Sequence, residues 1–133
     1  MGHDTSAGDV ISIVDDDESF REALTSLLRS LGFTARAFAS AEDYLASGSS
    51  GETSCLLLDI RLPGMDGLTL QQALIAGQRP GPPIVFLTAH GDGPTRARAL
   101  AAGAVDFLAK PFSEEALLDA VHTALGASRS RQG

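Results

Sequence analysis

Short apolar runs alternate with amphipathic stretches along the whole of this 133-residue chain. The run Cys55-Leu56-Leu57-Leu58 ends in Asp59 and enters a breaker-rich turn, Pro63-Gly64-Met65-Asp66-Gly67. A short apolar run bounded by turn signals predicts a strand buried on both faces, as in the middle of a parallel sheet. Val10-Ile11-Ser12-Ile13-Val14 is β-branched and predicts a first strand, which runs into Asp15-Asp16-Asp17-Glu18. Phe20, Ala23, Leu24, Leu27, Leu28 and Leu31 then recur at helical spacing, and Gly32 supplies the stop. Residues 33–38 predict a second strand. Ser40-Ala41-Glu42-Asp43 resembles a capping box opening a short helix, and 48–53 reads as a polar loop. Leu68, Leu70, Ala73 and Leu74 mark a third helix, broken at Pro80-Gly81-Pro82-Pro83. A fourth strand spans residues 84–88 and ends in Thr88, followed by a loop over 89–94 and an Ala- and Arg-rich helix to Ala102. Residues 104–109 predict a fifth strand ending at Lys110-Pro111. Ser113 caps a last helix with Leu117, Leu118, Val121 and Leu125 as its stripe.

Strand and helix thus alternate five times, which implies an α/β fold with a parallel sheet and helices on both faces. The length suits one domain, expected over residues 10–126, with a disordered lead-in at 1–9 and a polar tail or linker start at 127–133. Composition adds exclusions. Hydrophobic residues at 44% and charged ones at 20% fit a soluble globular protein, and no apolar run approaches a membrane span. A net charge of −7 argues against nucleic acid as a direct ligand. The single cysteine, Cys55, lies inside the apolar run and reads as a core residue in a reducing, cytoplasmic setting. Among 10 Lys and Arg residues only Lys110 is a lysine, which suggests that a compact ammonium is needed there.

In an open parallel sheet, chemistry gathers at the carboxyl ends of the strands. Here those ends deliver Asp15 and Asp16, Asp59, Thr88 and Lys110. Each has an ordinary excuse, as a cap, a turn residue or a solvated cation, but four strands ending in matching chemistry is hard to excuse. Clustered carboxylates repel and call for a cation. With only oxygen donors, a hard divalent ion such as Mg²⁺ is favoured. A carboxylate beside such an ion and a lysine is a plausible nucleophile toward phosphorus, and Thr88 could donate to a phosphoryl oxygen.

These blocks resemble those of response-regulator receiver domains: Ile13-Val14-Asp15-Asp16-Asp17, Leu57-Leu58-Asp59 with its Pro-Gly-Met-Asp-Gly turn, Leu87-Thr88-Ala89-His90 and Lys110-Pro111-Phe112. The match is in order over nearly the whole chain. Finer detail looks like the FixJ class: Ser19-Phe20-Arg21-Glu22-Ala23-Leu24, Phe38-Ala39-Ser40-Ala41-Glu42 and Ala102-Gly103-Ala104-Val105-Asp106-Phe107. The resemblance implies the flavodoxin-like doubly wound sheet, order 2-1-3-4-5. It also implies a phosphoacceptor role for Asp59, with Mg²⁺ bound by Asp16 directly, by Asp15 through water, by Asp59 and by the backbone carbonyl of Arg61. Lys110 would pair with the phosphoryl group, and Thr88 and Phe107 would form the switch pair. Arg61 and His90 would tune hydrolysis of the acyl phosphate. The Lys110–Pro111 bond would be cis, against about 5% for X-Pro bonds in general. Asp17 and Glu18 read as acids favoured at a helix N-terminus rather than ligands.

The implied partners are a sensor histidine kinase, a phosphorylation-dependent homodimer and a C-terminal DNA-binding domain beyond this chain. Gly93 and Thr95 replace the apolar residues usual on either side of the loop proline, and Arg96 and Arg98 make the fourth helix cationic. The usual dimer contact on the fourth helix, fifth strand and last helix is thereby put in question. The expected role is a signalling domain that promotes its own phosphorylation and slow hydrolysis rather than a turnover enzyme. The alternatives are a phosphate-independent interaction module and a true phosphotransferase or phosphatase. The latter lacks a carboxylate two residues after Asp59, where Arg61 stands. A flavodoxin-like nucleotide binder is a weaker reading, since no Ser/Thr/Gly-rich phosphate loop follows the first strand.

Overall fold

A computed structural model describes residues 9–77, 81–89 and 93–132. Most of the predicted lead-in, part of the break after the third helix and His90 with its two successors lie outside the described residues. The strands are β1 (Val10–Val14), β2 (Thr34–Phe38), β3 (Cys55–Asp59), β4 (Ile84–Thr88) and β5 (Asp106–Ala109). They form one parallel sheet in the order β2-β1-β3-β4-β5. The helices are α1 (Glu18–Ser30), α2 (Ala41–Ser47), α3 (Gly67–Gly77), α4 (Gly93–Ala101) and α5 (Glu114–Gln132).

Side-chain alternation divides the interior in two. Ile11, Ile13, Cys55, Leu57, Val85 and Leu87 face Leu24 and Leu28 of α1 and Leu117, Val121 and Ala124 of α5. Their neighbours Val14, Leu56, Leu58, Ile84 and Phe86 face α2, α3 and α4. Every residue of β3 and β4 is buried, so the continuous apolar runs of the sequence are central strands covered on both sides. Sequence order reverses across β1 and β3, which opens a crevice at their carboxyl ends.

Local signals place the turns that frame this crevice. Asp17 caps α1 by accepting from Phe20 N–H at 3.1 Å, and Ser40 caps α2 by accepting from Asp43 N–H at 3.0 Å. Glu42 accepts from Met65 N–H at 3.0 Å, tying α2 to the turn after β3. Gly67 opens α3 where the chain folds back under Asp59: a Cβ there would lie 2.6 Å from the Asp59 carbonyl oxygen and 2.9 Å from Ile60 Cα.

Three boundaries differ from the sequence reading. Helix α4 starts at Gly93 and takes Pro94 into its first turn, where a proline's missing N–H costs nothing. Strand β5 starts only at Asp106, because Ala104 N–H is spent on the end of α4, on Ala99 O at 3.1 Å. Helix α5 does not stop at Leu125 but continues through Gly126 to Gln132, so the expected polar tail is helical. Gly126 lacks the positive φ of a terminating glycine, unlike Gly32 and Gly103. An interior glycine costs a helix only about 1 kcal/mol relative to alanine.

Two outcomes follow from this packing. Gly67→Ala should lower the free energy of unfolding by about 1–3 kcal/mol in denaturant titration, because the obstructing atoms are backbone. Burial pushes the Cys55 thiol up to about 12. A thiol reagent at pH 8 should therefore leave Cys55 unmodified in the native protein and label it at once in denaturant.

Candidate functional site

The carboxyl ends of β1, β3, β4 and β5 bring Asp15, Asp16, Asp59, Thr88 and Lys110 to one edge of the sheet. Asp15 continues the line of β1 by donating its N–H to Phe38 O at 3.2 Å, and it is fully buried. Its Oδ2 accepts from Lys110 Nζ at 2.6 Å, its Oδ1 accepts from Asp17 N–H at 2.9 Å, and its carbonyl accepts from Arg21 Nη1 at 2.8 Å. Asp16, next in line, points into solvent. Burial of a charge is tolerable only with such partners, and Asp15 has them.

Asp59 is the last residue of β3. Its Oδ1 accepts from Arg61 N–H at 3.0 Å, and its Oδ2 lies 3.6 Å from Lys110 Nζ. Carboxylate oxygens of Asp15, Asp16 and Asp59 come within 4.8 Å of one another. Burial is the chief reason that Asp59 holds its proton above the usual carboxylate range. The Arg61 N–H and the Lys110 charge oppose the shift, while Asp15 and Asp16 add to it. The ammonium lies nearer to Asp15, at 2.6 Å, than to Asp59.

Lys110 is placed from three sides. Its N–H donates to Thr88 O at 2.7 Å, which carries the register of β4 and β5 one residue further. Its peptide bond to Pro111 is cis. Its Nζ stands 4.1 Å from the centroid of the Phe20 ring, which meets Phe112 edge-on at 6.0 Å. Thr88 is fully buried and Phe107 nearly so. The Phe107 ring lies inward, 6.3 Å from Phe86, with the Arg96 guanidinium 6.0 Å above it.

Every predicted site residue within the described chain therefore reaches this edge or the wall behind it, and His90 lies outside the described residues. Asp17 and Glu18 sit at the start of α1, as a cap and a first-turn acid. Three contributors were not singled out from the sequence as site residues. Phe20 looks like one more residue of an apolar stripe, and Arg21 and Glu42 look like surface charges. Only the pairing of α1 and α2 with the strand ends reveals what they hold. The all-oxygen donor set suits a hard divalent cation, and Asp16, Asp15 and Asp59 are the side chains that could hold it.

A doubly wound sheet with acids and a lysine at its switch point defines the class, and sequence comparison gives the family. Residues 11–122 match the response regulator receiver domain, and the chain belongs to that family. It is 47% identical over 132 residues to Nodulation protein W of Bradyrhizobium diazoefficiens, covering 98% of this chain and 58% of that protein. To response regulator protein TodT of Pseudomonas putida it is 44% identical over 126 residues, covering 94% and 55%. The chain thus spans little more than half the length of these relatives. Among solved structures, response regulator StyR superposes with a TM-score of 0.83 at 46% identity, covering 95% of this chain and 63% of that one. FixJ-N superposes with a TM-score of 0.79 at 34% identity, covering 89% and 94%. The strand order and helices are those expected, and the chain is a receiver domain of two-component signalling, a family in which the phosphoacceptor role is standard. No helix among the described residues is long and apolar enough to cross a membrane.

The raised proton affinity of Asp59 has a thermodynamic consequence. A carboxylate whose folded pKa exceeds its unfolded value of about 3.8 destabilises the fold once pH rises past both values. Asp59→Asn should therefore raise the thermal midpoint by a few degrees at pH 7 in chelating buffer, with the gain shrinking as pH falls toward 4. Differential scanning calorimetry at the two pH values checks this.

Proposed function

We propose that Asp59 is the phosphoacceptor and that a sensor histidine kinase supplies the phosphoryl group. A buried acid and the ammonium of the chain's single lysine, 2.6 Å apart beside Asp59, are the observation that carries this reading. An Asp59 carboxylate oxygen attacks phosphorus, the phosphorus–nitrogen bond of the donor phosphohistidine breaks, and the imidazole leaves with a proton. The product is an acyl phosphate. Asp16, Asp15, Asp59 and the Arg61 carbonyl would hold Mg²⁺, which would supply charge neutralisation for the phosphoryl oxygens.

The chain's own groups do the rest. Lys110 is tethered within reach of both acids and offers its charge to the incoming phosphoryl group. Thr88 brings a buried hydroxyl to the same edge as a donor, and the nearly buried Phe107 is the ring that follows its movement. Arg61 lies exposed at the mouth, and it shares with His90 the tuning of acyl-phosphate hydrolysis. Output runs through α4, β5 and α5, by homodimer formation or through a DNA-binding domain C-terminal to residue 133. Both acceptance and loss of the phosphoryl group are self-catalysed, so the domain acts as a switch rather than a turnover enzyme.

Incubation with Mg²⁺ and a small phosphoryl donor, read by intact mass, should add one phosphoryl group to the native protein and none to Asp59→Ala. Equal labelling of the variant would overturn the assignment. Lys110→Ala should retain the metal-binding acids but slow labelling by about 10-fold or more, as expected for loss of one charge-stabilising group.

A further inference from the structure

Helix α4 is held to the body of the protein by very little. Ala99 is its one buried residue among those described, whereas Arg96, Arg98 and Leu100 are exposed. Beneath it, α3 buries Leu70 and Leu74 as expected of a core-facing helix, but between them it buries Gln71, which is only 1% exposed. An amide in that setting is costly unless it is bonded, and a leucine would have filled the space without that cost. Gln71 Nε2 donates to the carbonyl of Ala99 at 3.1 Å, while its Oε1 has no partner among the described residues. Half of the amide is therefore spent on one directional contact.

That contact falls at a particular place. Ala99 O also accepts from Ala104 N–H at 3.1 Å, and Gly103 N–H donates to Leu100 O at 3.0 Å, with Gly103 at φ +105°. This is the closed C-terminal turn of α4. Gln71 thus grips the end at which the helix is already locked by its own cap and by the buried Ala99 methyl. Nearer its other end, α4 meets the switch region through Arg96, whose guanidinium stands 6.0 Å from the centroid of the Phe107 ring.

We propose that Gln71 is a positioning residue that pins the C-terminal turn of α4 to α3, making that turn the pivot about which the N-terminal half of the helix swings against Phe107. A nonpolar contact would let the helix slide or rotate, because dispersion is undirected; a hydrogen bond to one carbonyl fixes both. The link to signalling rests on the phosphoacceptor reading above, but the pin itself does not.

Hydrogen exchange on the full chain tests it. In Gln71→Leu, the amides of Ala102, Gly103 and Ala104 should exchange about 5-fold faster, the effect of losing one net hydrogen bond, while those of β3 and β4 keep their protection. The Phe107 ring resonances should shift in the same variant without any added ligand. Gln71→Met, whose flexible side chain fills the same space, gives the same comparison should the leucine variant fail to fold. Unchanged exchange in α4, or faster exchange in the same ratio throughout the sheet, would overturn the pin, the second result marking a purely structural residue. Failure of the native protein to accept a phosphoryl group would sink the phosphoacceptor reading instead and leave the exchange result to judge the pin alone.

Discussion

Asp15 and Lys110 form the contact on which the functional edge depends. A carboxylate with no solvent exposure meets the chain's one lysine ammonium at 2.6 Å, across 95 residues of sequence. Breaking the pair would leave a buried carboxylate without its counter-ion, which is strongly destabilising. The pair closes only if β1 and β5 lie on either side of β3 and β4 with their ends level. The parallel register delivers this by setting Asp59 against Leu87 and Thr88 against Ala109. The Phe20 ring, 4.1 Å from the ammonium, then backs it at this edge.

The same edge is where the fold spends stability. Asp59 is buried enough to resist ionisation, beside two further acids and a lysine already engaged with Asp15. What makes that tolerable is the sheet beneath it: two central strands buried along their whole length and an apolar layer on each face. Such a site is poised to respond to positive charge, which relieves the repulsion among the clustered carboxylates.

Much of this was legible in the sequence, for reasons that differ by element. The runs around Leu57 and Phe86 could only be central strands, and their order with the helices left a single sheet as the simple solution. The strand-end residues Asp15, Asp59, Thr88 and Lys110 were readable because a parallel sheet sends every carboxyl end to one side. The strand order and the individual roles came from family resemblance rather than from periodicity. Illegible were the contacts between elements distant in sequence: Phe20 under the ammonium, Arg21 on the Asp15 carbonyl, Glu42 on Met65. The end of α5 was misread because Gly126 resembles a stop signal, yet nothing after it needs the chain to turn. Gln71 reads as a surface polar residue on its helix, and its burial follows only from where α4 comes to lie.

The chain's arginine bias gives the site an unusual chemical signature. Because Lys110 is the single lysine, the only side-chain ε-amine of these 133 residues stands between Asp15 and Asp59, with about a fifth of its side chain exposed. Amine-directed acylation, which on most proteins scatters over the surface, has one side-chain target here. A conjugate formed through that amine is a conjugate at the functional edge, so lysine chemistry becomes a site-selective handle without any engineering of the sequence.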